Sequence, residues 1–287
     1  MELPALVEDT VRTHLDELDR AVPGLVEGLY LTGSAAMGDF RTGRGPTRWA
    51  PSGAARSDID FVALVAAAPD DAAVEALAGV HRGHAAVRGR PPVDGLYLTR
   101  HDLAGDPLAA TGLVQAHGGR VDRGGTGDPV RWQEVAQLAV AVRGPDRAEL
   151  DVRTDRARLD EWLRANLDGY WRRWHAGCSR WLSPAGALSL THWLPVWGVL
   201  GVARIHHTLH TGLICSKSDA ARYALETFDR RWHRVLDECL RLRTAAPGRP
   251  RYASPVARRR DALAFVAAVI AAGAAGPGRA SRPARRG

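Results

Sequence analysis

Lysine is almost missing from this chain. Of 39 basic residues, 38 are arginine, and the one lysine is Lys217. An Ala/Arg/Gly-rich composition favours arginine wherever either cation works. A position that keeps lysine then calls for a compact, flexible ammonium in place of a planar fork. Lys217 is therefore marked for function. Cysteine is scarce too. Cys178, Cys215 and Cys239 lie far apart and form no CxxC unit, which argues against a zinc module or a disulfide framework and suits a reduced, cytoplasmic setting. No apolar run approaches the ~18 residues that span a bilayer. The Ala-rich stretch 262–272 is shorter and follows three arginines, so it reads as a packed helix. Residues 1–4 lack the basic and apolar regions of a signal peptide. No membrane partner is expected.

What is present is a globular balance, 45% hydrophobic and 25% charged over 287 residues. That length suits one large or two modest domains. The net charge of +7 first suggests nucleic acid. However, Arg279, Arg282, Arg285 and Arg286 supply more than half of it from a Pro/Gly/Ala-rich terminus. No basic motif is interleaved with aromatics. A disordered basic tail at 276–287 explains the charge, without a nucleic-acid partner. A monomer is expected.

The patterning predicts two domains. Residues 7–18 read as an amphipathic helix, with Val7, Val11, Leu15 and Leu18 at helical spacing. Strands are predicted at 28–32, 58–65 and 93–99, a short helix at 35–40 and a longer one at 72–84. Irregular loops are expected at 41–56 and at 118–129, where glycine is dense. Residues 132–142 close this unit, ending at Gly144-Pro145. Beyond Asp155, helices are predicted at 159–174, 188–210 (kinked at Pro195 and capped by Gly212), 219–227, 230–243 and 256–272. Six of the nine tryptophans fall within 162–197 and are expected to form an aromatic core. The expected architecture is an α/β domain with a small mixed sheet over 1–150, followed by an all-α helical bundle over 151–275.

Chemistry concentrates in Gly33-Ser34 and Ser57-Asp58-Ile59-Asp60-Phe61. Strand side chains alternate faces, so Asp58 and Asp60 point the same way while Ile59 and Phe61 face the core. Two like charges so placed repel, and Mg²⁺, which takes carboxylates, phosphate oxygens and water, relieves that repulsion. Gly33 allows close approach of backbone to a ligand. Ser34 opens a short helix, where free N–H groups favour phosphate. The competing reading is a pair of solvated aspartates near a hairpin.

Leu31-Thr-Gly-Ser-Ala-Ala-Met-Gly-Asp-Phe40 with Ser57-Asp-Ile-Asp60 resembles the signature of the DNA polymerase β-type nucleotidyltransferases. More narrowly it is similar to the aminoglycoside (streptomycin/spectinomycin) adenylyltransferases, which carry a helical domain after the catalytic one. The stretch from Ala203-Arg204-Ile205 to Ser216-Lys217-Ser-Asp-Ala220 is similar to that family's arginine-then-lysine segment. Val140 to Pro145 is similar to its domain-linking Gly-Pro. The resemblance implies an adenylyltransferase that uses ATP and Mg²⁺, acts on a hydroxyl of a small molecule and releases pyrophosphate, with an aminoglycoside or aminocyclitol antibiotic as acceptor. It implies that Asp58, Asp60 and Asp94 hold the metal and carry catalysis, with Asp94 also placed as a general base. Gly33, Ser34 and Ser57 would hold the nucleotide, and Arg204 and Lys217 would reach its phosphates across a domain cleft.

The chain departs from the pattern in two places. Its spacer before Asp58 is longer, by about the length of 44–56. Residues 185–203 contain no Asp or Glu, offering Trp193, Trp197 and His192 instead. That composition points toward an uncharged or aromatic acceptor, although the two tryptophans read first as core. His206 and His210 sit four apart on one helix without a third metal ligand. The spacing of Arg204 and His210 is similar to that of helical HEPN-type ribonucleases. A toxin–antitoxin component that AMPylates a protein or cleaves RNA is therefore a second reading, and an inactive nucleotide or nucleic-acid binder a third.

Overall fold

The computed structural model describes residues 3–43 and 57–274. The basic loop at 44–56 and the tail at 276–287, both singled out in the sequence, lie outside them. The chain divides into two compact units, the first ending at Leu159 and the second starting at Asp160.

The first unit is a mixed six-stranded sheet between two layers of helix. In chain order it runs α1 (Ala5–Ala21), β1 (Val26–Leu31), α2 (Gly33–Ala36), β2 (Ile59–Val65), α3 (Asp71–Ala86), β3 (Val93–Thr99), α4 (Arg100–Ala104), β4 (Thr111–His117), β5 (Arg120–Thr126), α5 (Pro129–Leu138) and β6 (Val140–Arg143). The strand order is β5-β4-β3-β2-β1-β6. Only β2 and β3 pair in parallel, joined by the crossover through α3. On one face Ile59, Phe61, Ala63 and Val65 pack with Val7, Val11, Leu15 and Leu18 of α1 and Leu77 of α3. On the other, Val62, Leu64, Leu96 and Leu98 pack with Trp132 and Val135 of α5. The period-two alternation of β2 thus divides its side chains between two cores. Trp132 is fully buried, its indole N–H donating to the Leu103 carbonyl at 3.0 Å.

The sheet is larger than the sequence patterning suggested. The glycine-dense segment 118–129 is not a loop: β4 and β5 form a hairpin with His117 opposite Arg120. Gly118 and Gly119 make its two-residue turn at φ +57° and +79°, the left-handed pair that matches the strand twist. Gly144-Pro145 is also not a linker between domains. Residues 140–143 form the edge strand beside β1, and the Tyr30 hydroxyl donates to the Pro145 carbonyl at 3.1 Å. The first unit continues past the expected boundary at 150 to Leu159.

The second unit is helical. It contains α6 (Arg156–Asn166, begun in the first unit), a π-helical turn (Leu167–Trp171), α7 (Arg172–Ser179), α8 (Pro184–Leu188), α9 (Trp193–Thr211), α10 (Lys217–Thr227), α11 (His233–Thr244, preceded by a 3₁₀ turn) and α12 (Pro255–Ala274). Pro195 does not kink a helix. It lies in the first turn of α9, where its missing N–H leaves no bond unmade. Gly212 ends α9 in the left-handed conformation. The Arg259 guanidinium is buried on α12. It donates to the Ser189 hydroxyl and to the Cys178 carbonyl, both at 2.5 Å, tying α12 to the end of α7 and the turn after α8.

The tryptophans do not form the expected core. Of the six within 162–197 only Trp171 is buried, and Trp181 and Trp193 are exposed. Trp171 and Trp174 lie against α9 where it carries Gly201 and Gly198. A β-carbon at either glycine would come within 2.4 Å of the facing ring.

Candidate active site

The predicted constellation gathers at one end of the parallel strand pair. Asp60 of β2 and Asp94 of β3 are direct partners in register. Asp58 precedes β2 and is exposed, whereas Asp60 and Asp94 are half-buried. Gly33 caps this end of the sheet. The amide of Thr32 donates to the Asp60 carbonyl at 2.9 Å, and Gly33 follows at φ +60°. A β-carbon at Gly33 would stand 2.0 Å from Asp60 Oδ2. Only glycine meets both the backbone conformation and the close approach. The Ser34 hydroxyl is buried and finds no hydrogen-bond partner among the described residues.

Two residues that sequence reasoning missed complete the site. Glu134, on α5, accepts from the Gly33 amide at 2.6 Å. His117, at the end of β4, places Nδ1 2.8 Å from Asp94 Oδ2, while the Gly118 amide donates to Asp94 Oδ1 at 2.9 Å. Neither belongs to a local motif. Only the pairing of β4 with β3 and the packing of α5 on the sheet bring them here.

Four carboxylates therefore crowd one end of the sheet. Burial, reinforced by Asp58 and then Glu134, pushes Asp60 up to about 7, with Arg131 opposing. Burial also raises Asp94, against the stabilising bond from Gly118 and the charge of His117. Burial is the larger cause in both, and the neighbouring carboxylates add a repulsion that a divalent cation relieves. The aspartates do not converge on one point. Among the described residues, the one trio with ligand atoms all within 4.8 Å of one another is His14, Glu17 and His84.

Other predicted residues fall elsewhere. Ser57 is buried and serves the chain around it: its hydroxyl accepts from the Arg41 amide, and its own amide donates to the Arg41 carbonyl, both at 3.0 Å. Arg204 and Lys217 belong to the second unit. The Arg204 guanidinium donates to the Cys215 carbonyl at 3.0 Å, so α9 is tied to the segment that leads into α10. Ser216 caps α10 by accepting from the Asp219 amide, and Lys217 is its first residue. The Lys217 ammonium lies 4.8 Å from the ring centre of Trp197, which stacks on Trp193 at 5.6 Å. Trp193 and Trp197 are thus a surface pair rather than core. His206 and His210 stack at 4.0 Å, with His206 held by the Tyr223 hydroxyl and pushed down to about 4 by burial.

Comparison with known proteins bears on this arrangement. Residues 179–266 match the C-terminal domain of the aminoglycoside adenylyltransferases. No curated protein matches the chain in sequence. Among solved structures it is similar to a spectinomycin adenyltransferase of Enterococcus faecialis, determined with ATP and spectinomycin. The TM-score is 0.60 over 92% of this chain and 99% of that one, at 11% identity. The matched domain sits in the helical unit, and the sheet unit carries the carboxylates of the signature. Residues 179–266 are thus similar to that family's C-terminal domain, and the chain shares the fold of the spectinomycin adenyltransferase.

Proposed function

We propose that this protein transfers AMP from ATP, with Mg²⁺, to a hydroxyl of an aminocyclitol-type antibiotic. The observation that carries the reading is the placement of Asp60 beside Asp94 on parallel strands with Gly33 pressed against the Asp60 carboxylate. A phosphate would take the Gly33 amide and the Ser34 hydroxyl. Asp58 and Asp60 would hold Mg²⁺, which when bound supplies charge neutralisation for the triphosphate. The acceptor oxygen attacks the α-phosphorus, the bond to the pyrophosphate oxygen breaks, and the hydroxyl proton passes to Asp94. Burial raises the proton affinity of Asp94, and His117 orients its carboxylate. Most of the remaining catalysis is positioning. Arg204 and Lys217 would serve the nucleotide phosphates. The similar Enterococcus enzyme was determined with spectinomycin, which makes that compound the first acceptor to try. The test is pyrophosphate release from ATP and Mg²⁺ with spectinomycin, streptomycin and neutral aminocyclitols, alongside Asp60→Ala. Release that depends on acceptor and vanishes in Asp60→Ala supports the reading; full activity of the folded variant refutes it.

A further inference from the structure

The face of the sheet opposite Asp60 carries a second cluster of chemistry that the nucleotidyltransferase reaction does not use. His14 and Glu17 lie on α1, and His84 lies near the end of α3. His14 and His84 are 1% and 3% exposed, whereas Glu17 is half-buried at the rim. Both ring nitrogens of His14 and the Nδ1 of His84 are buried without a hydrogen-bond partner among the described residues. Buried imidazole nitrogens are normally bonded, so three unbonded ones at one place ask for an occupant. We propose that His14, Glu17 and His84 form a Zn²⁺ site between α1 and α3, separate from the nucleotide site.

Three features of the geometry fit this ion. The first is the donor set, two imidazoles and one carboxylate, which zinc takes with a fourth position left for water. The candidate ligand atoms all lie within 4.8 Å of one another. Ligands around tetrahedral zinc stand about 3.4 Å apart, a separation reached by small side-chain rotations. The second is the ring placement. With nitrogens 2.0–2.1 Å from the ion, two imidazoles on one tetrahedral zinc have centres about 5 Å apart. The rings of His14 and His84 stand 5.3 Å apart at 78°. The third is the outer support. His84 Nε2 lies 2.9 Å from the Pro91 carbonyl. A carbonyl only accepts, so Nε2 carries the proton and Nδ1 keeps its lone pair for a metal. Histidine ligands are commonly fixed this way.

Two neighbours bound the site. His81 packs on His14 at 4.6 Å, but its Nε2 is engaged with the Tyr97 hydroxyl at 2.9 Å, so it is a wall and not a ligand. Arg90 reaches Glu17 Oε1 at 3.4 Å. That bond is long and uses one oxygen, which leaves the other for the metal.

The test uses the full chain, stripped with a chelator and titrated with Zn²⁺ alone. One equivalent is expected to bind and to raise the melting temperature in a concentration-dependent way. Co²⁺ in place of zinc is expected to give the intense visible bands of a tetrahedral site, which an oxygen-liganded site at Asp58 and Asp60 does not produce. Glu17→Gln, at the half-buried position, should leave the fold intact and weaken zinc at least tenfold; His84→Ala should abolish tight binding. Asp58→Ala with Asp60→Ala should leave zinc affinity unchanged. Absence of the thermal shift and the cobalt bands overturns the proposal. So does zinc binding that persists undiminished in Glu17→Gln, or that disappears with the aspartates.

Discussion

The Gly33 amide donates to the Glu134 carboxylate at 2.6 Å, across 101 residues of sequence. In the proposed reaction a nucleotide phosphate takes that same amide, so Glu134 holds the place a phosphate would claim. Hydrogen bonds to a charged group contribute about 1.5–3 kcal/mol. Glu134→Ala should therefore destabilise the nucleotide-free protein by roughly that amount while lowering the KM for ATP several-fold. Chemical denaturation and initial rates test the two halves separately. A raised KM would instead place Glu134 among the groups that bind nucleotide.

Gly33→Ala should do more damage than a methyl group ordinarily does. The residue sits at φ +60°, and the new carbon would lie 2.0 Å from Asp60 Oδ2. Strain of this backbone conformation costs about 1–3 kcal/mol, and Asp60 must also rotate. A fall of at least 2 °C in melting temperature together with loss of adenylyl transfer is expected. An active variant of unchanged stability would remove Gly33 from the site.

The site was partly legible in the sequence because its first half is local. Gly33, Asp58 and Asp60 were marked by a strand, a glycine and a period-two pair, all within short range. Asp94 came from the family resemblance, which implies a third carboxylate on the next strand, and the parallel pairing of β2 and β3 sets it beside Asp60. Glu134 and His117 were not legible, because their roles depend on which helix packs on which face and on a hairpin whose glycines read as a loop. The edge strand 140–143 was missed for a related reason: it is four residues long, too short for alternation to register. The bundle helices were legible from their apolar periodicity. The exposure of Trp193 and Trp181 was not, since composition reports how much apolar surface exists and not which part stays uncovered.

Asp60 makes stability depend on pH with a definite sign. Its carboxyl is pushed up to about 7, mainly by burial and then by Asp58 and Glu134. The folded chain thus holds this proton more tightly than the unfolded one. The contribution is fully present below the ordinary carboxylate range, near pH 4, and is lost as pH rises toward 7. Per group the slope reaches at most about 1.4 kcal/mol per pH unit. Asp60→Asn should flatten the decline between pH 4 and 7, as read from urea midpoints across that interval. Mg²⁺ should flatten it in the wild-type protein by favouring the charged form. An identical pH profile in the variant would show that Asp60 does not carry the effect.

Lys217→Arg distinguishes a structural cation from a phosphate ligand. The ammonium lies 4.8 Å from the ring centre of Trp197, and arginine satisfies a ring of that kind at least as well. If the contact with Trp197 were the reason for lysine, the substitution would be silent in a chain that otherwise uses arginine 38 times in 39. A compact charge at the first turn of α10 differs from a planar fork in what it can approach, and a helix N-terminus favours anions by its free N–H groups and dipole. Lys217→Arg is therefore expected to leave the melting temperature within about 1 °C and to cut kcat/KM for ATP at least tenfold, about 1.4 kcal/mol of transition-state stabilisation. Trp197→Ala supplies the converse: it removes the ring and keeps the ammonium, so its effect on ATP should be smaller than that of Lys217→Arg. Equal losses in the two variants would mean that Lys217 acts through the ring.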